Sequence, residues 1–93
     1  MAQELYIFST HAHARHAGFD GPRLEHRKLQ AMAWLVDGSY PEQLQGRTFS
    51  RVYVTDEARR WAHGKPESMR RLDEALHIAR AMLRVEPMAW VEF

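Results

Sequence analysis

Three of the six histidines in the chain lie within one six-residue stretch, as His11, His13 and His16. Arg15 stands among them, and the stretch follows directly on an apolar run. Imidazole and guanidinium groups bind anions, and neutral imidazoles also bind divalent metal ions. The stretch therefore has two chemical interpretations, which are a contact for an anion or acidic partner and a metal site.

The metal interpretation depends on backbone conformation. In an extended segment the side chains of His11 and His13 point the same way, which would let two imidazoles bind one metal ion. His16 would complete the site from the turn. Asp20 or Asp56 would add an oxygen ligand, and the cofactor would be zinc or another divalent ion. The chain has no cysteine, which excludes thiolate sites and disulfides. A metal-dependent hydrolase or metal-binding protein is therefore the alternative function.

The same stretch resembles the metal loop of the metallo-β-lactamase superfamily, in which an apolar strand is followed by Thr-His-x-His-x-Asp-His-x-Gly. The matching residues are Thr10, His11, His13, His16 and Gly18. Arg15 stands where that family has the Asp that binds a second metal. The strand followed by His-x-His is also similar to the opening of amidohydrolases and TatD-type nucleases. Folds of these families need roughly 200 residues or more, and this chain has 93, so the resemblance covers the loop alone.

Clustered arginines favour the anion interpretation. The net charge is only +1, but between Arg47 and Arg71 seven basic residues stand against three acidic ones. An Arg-flanked Trp is typical of protein interfaces and of base-stacking surfaces. The residues expected to contact a ligand or partner are His11, His13, Arg15, His16, Arg59, Arg60 and Trp61.

We expect a small binding protein of the inhibitor or adaptor type rather than an enzyme. No Gly-rich phosphate loop, nucleophile elbow or Ser-His-Asp signature is present, so we expect no catalytic residue and no cofactor. The ligand would be a nucleotide-like anion or the acidic surface of a larger protein, and the near-neutral total charge gives nucleic acid weaker support. With neither a signal-peptide pattern nor a long apolar run, we expect a cytoplasmic protein without membrane contact.

The strands needed to position these residues can be predicted from hydrophobic pattern, within a single domain over residues 1–93. Gln3 to Ser9 is apolar without alternation, which is typical of a strand buried on both faces of a parallel sheet. Thr48 to Val54 alternates and predicts a second strand. Met88 to Phe93 predicts a third, whose exposed edge would permit a homodimer.

Helices are predicted between the strands. Pro22 to Asp37 is predicted as the first helix, because a Pro start signal precedes apolar residues at helical spacing and Gly38 is placed to end it. Pro41 to Gln45 predicts a short turn, and Thr55 or Asp56 caps a short helix. The longest helix is predicted from Pro66 to about Val85. Its buried stripe would consist of Met69, Leu72, Leu76, Ala79 and Leu83.

The predicted fold class is α/β. It has a three-stranded, mostly parallel sheet in the order β-α-(turn)-β-α-α-β, with the long C-terminal helix packed on it. Ligands of open α/β sheets bind beyond the carboxyl ends of the strands. At that edge the histidine stretch and the residues Thr55 to Glu57 should meet, and anion affinity there should rise as pH falls below about 6.5.

Overall fold

The chain folds around one mixed β-sheet. The computed structural model describes residues 3–19, 24–26, 30–38, 44–81 and 90–92. The strands in this part of the chain are β1 Gln3–Phe8, β2 Glu25–His26, β3 Ala31–Leu35, β4 Phe49–Val54 and β5 Trp90–Glu92. The helices in the same residues are α1 His11–His16, α2 Asp56–Ala62 and α3 Pro66–Ala81. The predicted α/β class is confirmed.

Strand β1 lies in the middle of the sheet. The strand order is β2-β3-β1-β4-β5, and β1 pairs in parallel with both β3 and β4. Leu5 and Ile7 are fully buried, and Tyr6 and Phe8 are 4% and 3% exposed. An unbroken apolar run is what a strand covered on both faces requires. The prediction of a buried central strand over these residues is therefore confirmed.

The two faces of the sheet carry separate layers. Leu5 and Ile7 belong to the core cluster that includes Ala58 of α2 and Leu72 of α3. On the other face, a second core cluster joins Tyr6 and Phe8 of β1 to Ala14 of α1 and to Phe19, Leu24, Ala31 and Ala33. Helix α1 therefore lies on the opposite face of the sheet from α2 and α3.

The helix predicted from Pro22 to Asp37 is wrong in the described residues of that range, 24–26 and 30–37. They contain the short strand β2, antiparallel to β3, and strand β3 itself. Residues 31–36 are continuously apolar, and such a run matches helical spacing as well as a strand buried on both faces. Residues 31–35 form a strand rather than a helix because they pair with the central strand β1. Gly38 does not end a helix but donates its N–H to the carbonyl oxygen of Leu35 in the turn after β3.

The predicted sheet of three strands is also wrong, because β2 and β3 raise the number to five in the described residues. The last strand, β5, pairs in parallel with β4 and lies at an edge of the sheet. Several parts of the predictions lie outside the described residues. They are the expected start of the first helix at residues 20–22 and its residues 27–29, most of the turn over residues 41–45, residues 82–89, which include the predicted end of the long helix and the first two residues of the predicted third strand, and residue 93 of that strand.

The second half of the chain follows its predicted pattern. Burial alternates only over the last four residues of β4, where Val52 and Val54 are buried, Arg51 is exposed and Tyr53 is partly buried; Phe49, at the start of the strand, is also buried. The Thr55 hydroxyl caps α2 by accepting the N–H of Ala58 at 3.2 Å. The long helix begins at Pro66 as predicted. Its buried residues are Leu72, Ala75 and Ala79, whereas Met69 is 49% exposed, contrary to prediction.

A stacked tyrosine pair on the α1 face gives the fold a measurable response to alkaline pH. The Tyr6 and Tyr53 rings stack with centroids 4.6 Å apart. The Tyr6 hydroxyl donates to Glu4 Oε2 at 3.1 Å. Burial, and then the hydrogen bond to the Glu4 carboxylate, raise the pKa of Tyr6 from 10.0 to about 12.

Because the folded protein holds Tyr6 in its neutral form, its contribution to stability is complete below pH 10 and is lost as pH rises through about 12. We expect the free energy of unfolding to fall across this interval by at most about 2.7 kcal/mol. Urea unfolding at a series of pH values measures the fall. Tyr6→Phe should reduce it, and an equal fall in wild type and Tyr6→Phe would contradict the assignment.

Candidate functional site

The histidine stretch is helical. Thr10 is extended, and helix α1 runs over His11–His16. Alanine is the strongest helix former, and Ala14 is the buried residue of this helix. The chain leaves α1 through Gly18, whose φ is +105°, and an added Cβ there would lie 3.0 Å from His26 Nε2. The backbone angle favours glycine at this position, and a larger residue would also have to displace the His26 side chain.

A helix separates the two histidines that the metal interpretation brings together. Successive residues of an α-helix are turned by about 100°, so His11 and His13 lie about 160° apart around α1. Among the described residues, no three His, Asp or Glu side chains are grouped closely enough to hold a metal ion. Asp20 lies outside those residues, and Asp56 pairs with Arg60 at 3.4 Å. The convergence of His11, His13 and His16 that the alternative metal interpretation requires is not found among the described residues, because the segment is helical rather than extended.

The carboxyl ends of β1 and β4 nevertheless bring two of the predicted segments together. Because these strands are parallel neighbours, Ser9 after β1 and Thr55 after β4 lie at the same edge of the sheet. Glu57, in the first turn of α2, reaches His13 of α1, and its Oε2 lies 3.2 Å from His13 Nδ1. The prediction that the histidine stretch and Thr55 to Glu57 meet at this edge is confirmed.

Ser9 anchors the Glu57 carboxylate. The Ser9 N–H donates to Glu57 Oε1 at 3.0 Å, and the Ser9 hydroxyl donates to Glu57 Oε2 in a short hydrogen bond. Ser9 is fully buried, so these two donors have no access to solvent. Ser9, which follows strand β1, therefore holds the Glu57 carboxylate independently of the contact with His13.

Three oxygen atoms surround one nitrogen of the His13 ring. His13 Nδ1 lies 2.9 Å from Thr10 Oγ1, 3.2 Å from Ser9 Oγ and 3.2 Å from Glu57 Oε2. A carboxylate only accepts hydrogen bonds, and on this ground we assign the ring proton of neutral His13 to Nδ1. The His13 side chain is 53% exposed and that of Glu57 only 21%. With this assignment the lone pair lies on Nε2, the ring nitrogen that is not in contact with Glu57.

Ala14 faces the core, and the other residues of α1 are solvent-exposed, including His11, Arg15 and His16. Within the described part of the chain, no hydrogen bond or ion pair joins the side chains of these three residues to another group. The helix contains no acidic residue. The outer surface of α1 is therefore basic. The side chains of His11, Arg15 and His16 are available for a hydrogen bond or ion pair with a group outside the described residues.

Helix α2 carries the other residues expected to contact a ligand. Arg59 and Arg60 are exposed, and Arg60 pairs with Asp56. Trp61 is partly buried and packs against the core cluster on the α2 face. Because α1 and α2 lie on opposite faces of the sheet, the structure does not gather Arg59, Arg60 and Trp61 onto the surface that α1 presents.

Ser9 and Glu57 are the partners of His13 that sequence reasoning did not single out. A signal for Ser9 is present, since it is the first polar residue after the buried run of β1. Glu57 was placed at the correct edge, but no spacing along the sequence links residue 57 to residue 13. Only the parallel pairing of β1 with β4 makes them neighbours.

No protein-family model matches this chain, and neither a curated protein nor a solved structure does. Among the described residues, no helix combines the length and the apolar character that crossing a membrane requires.

Proposed function

We propose that this chain is a binding protein whose helix α1 contacts the acidic surface of a larger protein. The observation that carries the proposal is that His11, Arg15 and His16 are exposed on a helix without acids, and that their side chains form no hydrogen bond or ion pair with another described residue. Ionic groups on protein surfaces are commonly placed to complement the charge of a partner. A basic helix surface of this kind fits an acidic one.

The shape of α1 favours a protein partner over a small anion. Around the helix, His11 and Arg15 lie on one flank and His16 lies on the outer side, because four residues complete about one turn. Side chains that point outward in this way reach an extended surface but do not surround a small ligand, which is generally held in a concave site. Arg59 and Arg60 are less suited to join them, since they belong to the helix on the opposite face of the sheet.

The proposal implies that binding depends on ionic strength. Contacts between exposed ionic groups are screened by salt. Affinity for an acidic surface should therefore fall as salt is added.

The test uses fluorescent poly-L-glutamate as the acidic probe, with binding measured by anisotropy at neutral pH in low salt and in high salt. We expect binding to weaken several-fold as salt is added, and we expect the double variant Arg15→Ala with His16→Ala to weaken it roughly threefold to tenfold. Lys65→Ala is the matched control, because Lys65 is an exposed cation outside α1. Affinity that does not change with salt, or equal losses in the control and the double variant, would contradict the proposal.

A further inference from the structure

We propose that His13 is a nucleophile whose Nε2 accepts a phosphoryl group from a small anionic donor of the acyl phosphate class. The inference concerns the contacts of His13 with Ser9, Thr10 and Glu57 and does not depend on the proposed function. It assigns this carboxyl edge of the sheet as a phosphoryl-accepting site.

Contacts at Nδ1 fix the orientation of the His13 imidazole. Glu57 is held by both donors of the buried Ser9, so its carboxylate remains in place when the ring reacts. Thr10 Oγ1 gives the His13 Nδ1–H a second acceptor at 2.9 Å. Hydrogen bonding at one ring nitrogen sets the tautomer and directs the lone pair of the other. His13 Nε2 is that other nitrogen, on a side chain that is 53% exposed.

This arrangement suits phosphoryl acceptance chemically. The Nε2 lone pair attacks phosphorus, a P–N bond forms, and the P–O bond to the acyl group breaks with its electron pair leaving on the carboxylate product. The ring then carries a positive charge, with its proton still on Nδ1. Glu57 Oε2, 3.2 Å from Nδ1, stabilises that charge, as a buried carboxylate stabilises an imidazolium in serine hydrolases. No further reactant is needed.

Local charge favours an anionic electrophile over a neutral one. Helix α1 contains no acid, and His16, three residues after His13, is its neighbour on the helix surface. Glu57 faces Nδ1 rather than Nε2 and is already engaged by Ser9. The acid next to it, Asp56, pairs with Arg60. An approaching phosphoryl group therefore meets basic side chains first.

The test treats the whole chain with acetyl phosphate at neutral pH and follows modification by peptide mass spectrometry and phosphorus NMR, with acid lability identifying the P–N bond. We expect His13 to be modified faster than the exposed His63 and His77 of the same molecules. His13→Gln should remove the modification, and His11→Gln and His16→Gln should retain most of it. Glu57→Gln should slow it roughly tenfold or more, with circular dichroism used to verify folding.

The comparison with His63 and His77 is internal to the wild-type protein, so the proposal stays testable if a variant does not fold. Equal modification of His13, His63 and His77 would overturn it, and so would an unchanged rate in a folded Glu57→Gln variant. A neutral ester, p-nitrophenyl acetate, separates general nucleophilicity from phosphoryl preference. If its rate at His13, relative to free imidazole, exceeds that for acetyl phosphate, the phosphoryl assignment is wrong.

Discussion

Replacing Ile7 with alanine is expected to lower the free energy of unfolding by about 2 to 5 kcal/mol. Ile7 is fully buried on the central strand, beside Trp34 of β3 and Val54 of β4. The substitution removes apolar area from the core and leaves a cavity between the sheet and helices α2 and α3. Neighbours on both sides of the strand are fixed by backbone pairing, so the cavity has little freedom to collapse.

Urea unfolding followed by tryptophan fluorescence measures the effect of Ile7→Ala. Met69→Ala is the matched control, since it also truncates a large apolar side chain, but one that is 49% exposed on α3. We expect this control to change the free energy of unfolding by less than about 0.5 kcal/mol. Similar losses in the two variants would show that β1 is not the central buried strand.

Replacing Glu57 with alanine is expected to cost about 2 to 4 kcal/mol of folding free energy. The substitution removes the acceptor of both the N–H and the hydroxyl of Ser9, a fully buried residue. Both hydrogen bonds are lost, and the buried Ser9 N–H is left without its carboxylate acceptor. The contact between Glu57 and His13, which joins α2 to α1 across the edge of the sheet, is lost as well.

Asp56→Ala provides the comparison for Glu57→Ala. Asp56 is the adjacent acid on α2 but is exposed, and its contact is a surface ion pair with Arg60. We expect a loss below about 1 kcal/mol. Chemical denaturation of both variants at one pH measures the two losses. Equal free energies of unfolding would show that Glu57 does not anchor α2 to the end of β1.

Two stretches of similar composition show what the sequence could predict. Leu5 to Phe8 was correctly predicted as a buried strand, and Ala31 to Val36 was predicted as part of a helix although it is equally continuous in apolar residues. A preceding Pro and a following Gly favoured the helix at Ala31 to Val36, and periodicity alone does not distinguish the two states in such a run. Parallel pairing with β1, a tertiary contact, made it a strand.

The position of the candidate site was predicted more accurately than its local backbone structure. The sequence placed His13 and Glu57 at one edge because both segments follow strands, and the parallel pairing of β1 and β4 confirmed this. Helix α1 was missed because six residues are too few to show a repeating apolar face. The roles of Thr10 and Ser9 as neighbours of His13 Nδ1 follow from that helix turn and could not be read from an extended segment.

The central position of β1 also bears on how the chain reaches its fold. Leu5 pairs with Met32 on one side and Val52 on the other, so β1 is fully paired only when two segments distant in sequence have reached it. Contacts between residues so distant in sequence slow folding. Until both pairings form, an apolar segment has an unpaired edge, a condition under which strands associate with other chains. The yield of native protein is therefore expected to depend on how fast β3 and β4 pair with β1.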